Sequence, residues 1–361
     1  MPGPVDWELA QRVATRIAER KQAAPSYHYG TLAPDFERFT AEAEQLVADE
    51  TGLVSASGDA RARVADRSMW IGANIASFQR LLRPVIDKLE EKTSTKKSRL
   101  GGVTGRVGGM EVGILLGWMA SRVLGQYDLL IIEDERPEDQ DIVYYVGPNV
   151  MALEKKHGFP PEEFRLWLAL HEVTHRAQFT GVPWLREHFL GLVGQTLDSV
   201  DPDPKVLKEA VQRILDARKS GEDALADGGL PALFASPEQR QTLNQISGMM
   251  SLLEGHGDIT MDRAGADRIP SAQRFSDTLR ARRNSAKGIN RIFQKVIGME
   301  AKLNQYQAGE QFIEAVEAVG GADLVNRAWE GPSNLPSMDE IREPQIWIDR
   351  ITEGHDAVAA S

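Results

Sequence analysis

No cysteine occurs anywhere in the 361 residues. Disulfides, thiolate nucleophiles and Cys-ligated zinc are therefore excluded. The lack of cysteine suits a reducing compartment, and a cytoplasmic location is expected. Positive charge is also scarce: 42 Lys and Arg stand against 53 Asp and Glu, a net charge of −11. Such a surface repels phosphate backbones, so no nucleic-acid partner is expected. Long apolar runs are missing too. Met1-Pro2-Gly3-Pro4 carries no basic region, and Asp6, Glu8 and Arg12 interrupt any apolar stretch behind it, so a secretory signal is not expected. The most apolar segment, Val107 to Leu124, contains Glu111 and Arg122. Its uncharged part, Val112 to Ser121, is too short to span a bilayer, and no membrane partner is expected.

What is present is enough apolar material, 42% of residues, to bury a sizeable core. The Val107–Leu124 segment reads as a buried helix. Gly105, Gly109, Gly113 and Gly117 recur every four residues, which leaves one helical face without side chains and open to close approach by another helix. Trp7 to Ala18, Phe36 to Asp49 and Trp70 to Leu89 show helical spacing of apolar groups. Lys92 to Arg99 is polar and basic and reads as a solvated connector. Two strand candidates follow, Leu129 to Glu133 and Asp141 to Val146, separated by the acidic turn Asp134 to Asp141. That arrangement suggests a small antiparallel pair. From Pro148 onward the pattern is helical, with loops at Asp201–Pro204, Gly221–Pro231 and Gly331–Pro336. The expected fold is mainly α (α+β), with one small antiparallel sheet. A helical region, 1–128, packs on a catalytic region, 129–361, as one compact unit.

The chemistry is carried by His171-Glu172-Val173-Thr174-His175, which matches H-E-x-x-H. Histidines four apart lie one turn apart on one helical face, so both imidazoles reach one ion. The Glu after the first His is set about 100° round the helix. From there it can take a proton from an attacking water without being a ligand. Phe159-Pro160-Pro161-Glu162-Glu163 is a helix start, with Pro at the first position and acids at the positive end. Gly181 and Pro183 supply a stop. Between them Phe164, Trp167 and Leu168 form an apolar stripe that His171 and His175 continue. The histidines therefore face inward, either on a metal or as buried structural side chains.

A catalytic zinc takes a third protein ligand and keeps an open position. No third His follows closely: Gln178, Phe179 and Thr180 fill that region, and the next is His188. A carboxylate on another helix is the alternative. Ser236-Pro237-Glu238-Gln239 reads as a capping box, and its helix carries Leu243, Ile246, Ser247 and Met250 on one face. Glu254 falls on that face, and Asp258 follows one turn later. Buried carboxylates are costly unless paired or metal-bound. Glu254 then coordinates Zn2+, and Asp258 accepts the outer N–H of a ligating histidine, His171. Gly255 and Gly257 would let this helix lie close to the H-E-x-x-H helix. Otherwise the helix ends at Gly255 with exposed acids. His256 is a rival: on a continuous helix it points away from Glu254, whereas a break at Gly255 would let it swing into the cleft as proton donor or oxyanion stabiliser.

At this point the residues resemble a known family. HEVTHRAQF (His171 to Phe179) and LEGHGD (Leu253 to Asp258) are similar to the zincin-like metallopeptidase type 2 family, whose members carry labels such as hydrolase or coenzyme F420 biosynthesis-associated protein. KLNQYQAGEQF (Lys302 to Phe312) and Asn334 to Pro336 resemble it as well, and the likeness extends from Trp7 to about Ile351. It implies a zincin fold and supplies no substrate. Glu254-x-x-x-Asp258 is also similar to the gluzincin arrangement, in which Glu is the third ligand and Asp lies outside it. Here 78 residues lie between His175 and Glu254, far more than in thermolysin-like enzymes.

Tyr306 lies on a helical stripe with Leu303 and Ile313 and is a candidate oxyanion donor, or else a core tyrosine. Arg176 and Gln178 read as structural, bonding buried carboxylates. Strand 141–146 is a candidate cleft edge for an extended peptide, with Asn149 just after it. The expected function is zinc-dependent hydrolysis of a peptide or a small amide, with Glu172 as general base. The alternatives are a small-molecule amidohydrolase and a non-catalytic, metal-stabilised binding module. Glu172 favours an enzyme, because a structural metal has no use for a base there. Oligomeric state has no signature in the chain.

Overall fold

The computed structural model describes residues 5–19, 27–94, 101–127, 129, 141–198, 237–284 and 299–359. These residues form two compact units, Met1–Gly181 with Met261–Phe275, and Val182–Thr260 with Ser276–Ser361. Of the expected strand 129–133 only Leu129 is described. The acidic turn before Asp141, the loops at 201–204 and 221–231, the cap Ser236 and the side chain of Tyr306 lie outside the described residues, as do 95–99 of the basic connector.

In the first unit the chain runs through helices α1 (Trp7–Glu19), α2 (Leu32–Thr51), α3 (Arg67–Ser94), α4 (Gly101–Ala120), α5 (Gly147–His157) and α6 (Pro161–Gly181). Strands β1 (Arg61–Ala65), β2 (Gly125–Tyr127) and β3 (Ile142–Val146) are interleaved with them. The glycine stripe of α4 finds its partner in α1, whose Ala10, Ala14 and Ala18 are all fully buried. A Cβ on Gly113 would stand 2.6 Å from the Ala10 carbonyl oxygen, and one on Gly117 2.7 Å from that of Ala14. Two stripes of small residues thus bring two backbones together. Trp70, Ile71, Ile75 and Leu116 complete the core around them. Among the described residues, no helix is long and apolar enough to cross a membrane.

The chain is mainly helical, as expected, and its sheet is small. That sheet is mixed, with order β1-β3-β2. β3 pairs parallel with β1, Arg61 opposite Ile142 through Ala65 opposite Val146, and antiparallel with β2, Gly125 opposite Tyr145. The parallel strand lies within a stretch whose sequence reads as helical. Arg-Ala-Arg-Val-Ala has little strand propensity of its own, and its partner supplies the conformation. Every residue of β3 is buried, which is why it is a continuous apolar run and does not alternate. Both of its edges are taken, so strand 141–146 cannot receive a peptide, and the reading of it as a cleft edge is corrected. Asn149 is no loose turn residue either. Its amide accepts from Arg67 Nε at 2.8 Å and donates to the carbonyls of Ala120 and Val123 at 2.8 and 2.6 Å.

Helix α6 is held at both ends by buried guanidiniums. Arg165 forks onto Glu154 of α5 at 2.8 and 3.0 Å and also reaches Asp35 of α2. Arg176 forks onto Asp141 at 3.0 and 2.6 Å, reaches Glu44 of α2 at 2.6 Å, and donates to the Gly58 carbonyl at 2.6 Å. Burial alone would lower both pKa values. The carboxylates outweigh it and hold both above the usual arginine range. Asp141 has a positive φ of 52°, a conformation Asp tolerates better than most residues, and the fork from Arg176 pins it.

The second unit contains α7 (Leu185–Asp198), α8 (Pro237–Gly265), whose last turn counts with the first unit, α9 (Ala272–Asn284), whose first turn does so too, α10 (Met299–Asn326, broken at Gly321), α11 (Met338–Arg342) and α12 (Pro344–Ala359). Its core gathers Leu252, Phe312, Ile313, Val316, Trp347 and Ile348. Gly255 of α8 faces Gly309 of α10. A Cβ on Gly255 would stand 2.6 Å from the Glu310 amide nitrogen, and one on Gly309 would strike the Ser251 carbonyl. The close approach at Gly255 is made to α10. A Cβ on Gly248 would meet the backbone of Pro336 and Ser337 in the same way. The segments LEGHGD, KLNQYQAGEQF and Asn334–Pro336, far apart in the chain, all bear on one helix.

Candidate metal centre

α6 begins at Pro161, carries Glu162 and Glu163 in its first turn and ends at Gly181, the start and stop legible in the sequence. Its arginine anchors fix the register of the residues between them. His171 and His175 come one turn apart and half-buried, with ring centroids 4.7 Å apart and planes at 82°. His175 has a partner that sequence reasoning did not assign: Nδ1 lies 3.0 Å from Oε1 of Gln178. The signal was available, because Gln178 is three residues on and shares the face of His175.

Glu172 is buried, with 6% of its surface exposed. It lies against the first residue of β2. A Cβ on Gly125 would stand 2.5 Å from Glu172 Oε1 and 2.7 Å from Cδ. β2 is held in place from the other side, where Gln126 accepts from Trp70 Nε1 at 2.8 Å and pairs with the Asn74 amide at 3.3 and 3.4 Å. Tyr145, opposite Gly125 in the ladder, stacks on Phe36 at 3.9 Å and bonds Thr40 at 2.7 Å. Burial pushes its hydroxyl pKa far up and the charge of Glu172 adds to this, so Tyr145 stays neutral. Gly125 carries no sequence signal beyond being a glycine. Its role exists only once β2 is laid over α6.

α8 runs unbroken through Gly255 to Gly265, so the acids at 254 and 258 are in mid-helix. Glu254 is buried and Asp258 half-buried. His256 is buried too, and its ring meets Trp329 edge-on, centroids 5.2 Å apart at 74°. At the far end of the helix, a Cβ on Gly265 would touch Leu170, the residue before His171. One donor atom from each of His171, His175 and Glu254 lies within 4.8 Å of the other two, a group that could hold a metal ion. The donors fit zinc, which takes imidazole nitrogen and carboxylate oxygen and leaves a position open in catalytic sites. The hydrogen bond of His175 fits as well. An amide oxygen accepts only, so Nδ1 carries the proton and Nε2 keeps its lone pair for a metal.

The chain belongs to the zincin-like metallopeptidase family, whose model matches residues 5–348. Among solved structures it is similar to one described as "a putative hydrolase with a novel fold" from Chloroflexus aurantiacus. The two are 32% identical, the match covers 96% of this chain and 99% of that one, and the TM-score is 0.71. No curated protein matches the chain.

Proposed function

We propose that the protein is a zinc-dependent hydrolase that cleaves an amide bond in a peptide or a small amide. The observation that carries this reading is the His171, His175 and Glu254 donor group, with Glu172 on the same helix as the two histidines. Those three residues hold the ion, and Asp258 accepts the outer N–H of His171. With zinc bound, the site gains a Lewis acid that polarises a carbonyl and acidifies water. Glu172 takes the proton from the attacking water and returns it to the departing amine.

The binding-module alternative needs the metal to support the fold. Here α6 is already tied to α2, α5 and the 58 and 141 segments by Arg165 and Arg176, which favours a catalytic use for the ion. The test is Glu172→Gln, assayed with metal analysis and a broad screen of peptides, amides and esters. The variant should hold zinc like the wild type and lose at least about 100-fold in activity. A zinc-loaded wild type that cuts nothing, or a variant as active as wild type, would sink the reading.

A further inference from the structure

We propose that Gln178 is a positioning residue that acts on the metal through His175; the inference rests on the zinc reading above. A neutral imidazole has one N–H and one lone pair, and either nitrogen can carry the proton. The Gln178 oxygen lies 3.0 Å from Nδ1 and has no proton to give. It therefore selects the tautomer with the proton on Nδ1 and the lone pair on Nε2. The opposite rotamer of the amide would offer N–H groups to Nδ1, draw the lone pair there and turn an N–H toward the ion. The bond also fixes the plane of the ring, because donor and acceptor are three residues apart on a helix whose register Arg176 anchors.

Burial makes the device permanent. Gln178 has no exposed surface, so its rotamer freedom is already lost before any ion arrives. The ordering cost falls on folding and not on metal binding. Gln178 touches neither the ion nor the substrate. Its effect reaches the metal only through the imidazole.

The test uses the full chain and zinc alone, with affinity read by competition against a chelator and the His175 tautomer read by NMR of isotope-labelled histidine in the zinc-free protein. Gln178→Met keeps the length and removes the acceptor. It should weaken zinc binding roughly 10–100-fold, and the tautomer should become mixed. Gln178→Glu restores an acceptor and should bind zinc as tightly as wild type or more so, whereas a purely space-filling role would leave Gln178→Met binding zinc like wild type. If Gln178→Met fails to fold, the wild-type tautomer and the Gln178→Glu affinity still decide. A wild-type His175 carrying its proton on Nε2, or a Gln178→Met protein that binds zinc like wild type, overturns the proposal. A wild type that binds no zinc fails the functional reading instead, while the tautomer measurement still judges the bond from Gln178.

Discussion

Gly125→Ala tests how tightly β2 is laid over the general base. The new Cβ would lie 2.5 Å from Oε1, 2.6 Å from Cγ and 2.7 Å from Cδ of Glu172, where ordinary contact begins near 3.4 Å. The Glu172 side chain must then retreat by nearly 1 Å. Neither backbone can yield, since the Gln126 pairing holds β2 and the arginine forks hold α6. Overpacking of this kind costs about 1–3 kcal/mol. Removing a strand glycine offsets about 0.5–1 kcal/mol of that, and Gly125 does not use a positive φ. The net expectation is a loss of about 1–2 kcal/mol. In a Glu172→Ala background the obstructing carboxylate is gone, and Gly125→Ala should be neutral or stabilising by about 0.5–1 kcal/mol. Denaturant unfolding of the four proteins gives the coupling directly. Equal destabilisation in both backgrounds would refute the contact. On the zinc reading, a base displaced by about 1 Å should also cost roughly 100-fold in rate, with zinc content unchanged.

Gly113→Ala on α4 and Gly194→Ala on α7 should move thermal stability in opposite directions. The first drives a Cβ into the Ala10 backbone and should cost about 1–2 kcal/mol after the helix-propensity gain. The second meets nothing within 4 Å and should stabilise by up to about 1 kcal/mol. Acid titration should expose Glu340, whose carboxyl burial alone would raise but the Arg350 guanidinium and Ser337 bonds hold below the ordinary range. A carboxyl lowered in the folded state contributes stability above its unfolded pKa, about 4.3, and loses it as pH falls through the folded value. Unfolding followed from pH 6 down to 3 should show that loss in wild type and a flatter profile in Glu340→Gln.

Features written in local pattern were legible in the sequence. The H-E-x-x-H helix starts at its proline and stops at its glycine because both act through their own backbone. β3 stood out because a strand buried on both faces has to be apolar throughout. The glycine stripe announced a close approach, though not that α1 would supply the alanines. β1 was missed because a parallel partner, and not its composition, makes Arg61–Ala65 a strand. Gly125 was invisible because its contact with Glu172 joins residues far apart in the chain. Gln178 was read as bonding a buried carboxylate, whereas Arg176 does that and Gln178 bonds His175. The family likeness read from HEVTHRAQF and LEGHGD agrees with the match over residues 5–348.

The crossing of α8 and α10 at Gly255 and Gly309 acts as a mechanical detent. Sliding either helix by a turn, or rotating it, replaces a glycine at the contact with a residue that has a side chain, and the backbones no longer clear each other. Glu254 is the residue next to that stop, so its angle around the helix axis is set by a contact that involves no polar side chain. Gly309, remote in sequence from every donor, becomes a handle by which the geometry of the proposed metal centre could be retuned without altering any residue that binds the ion.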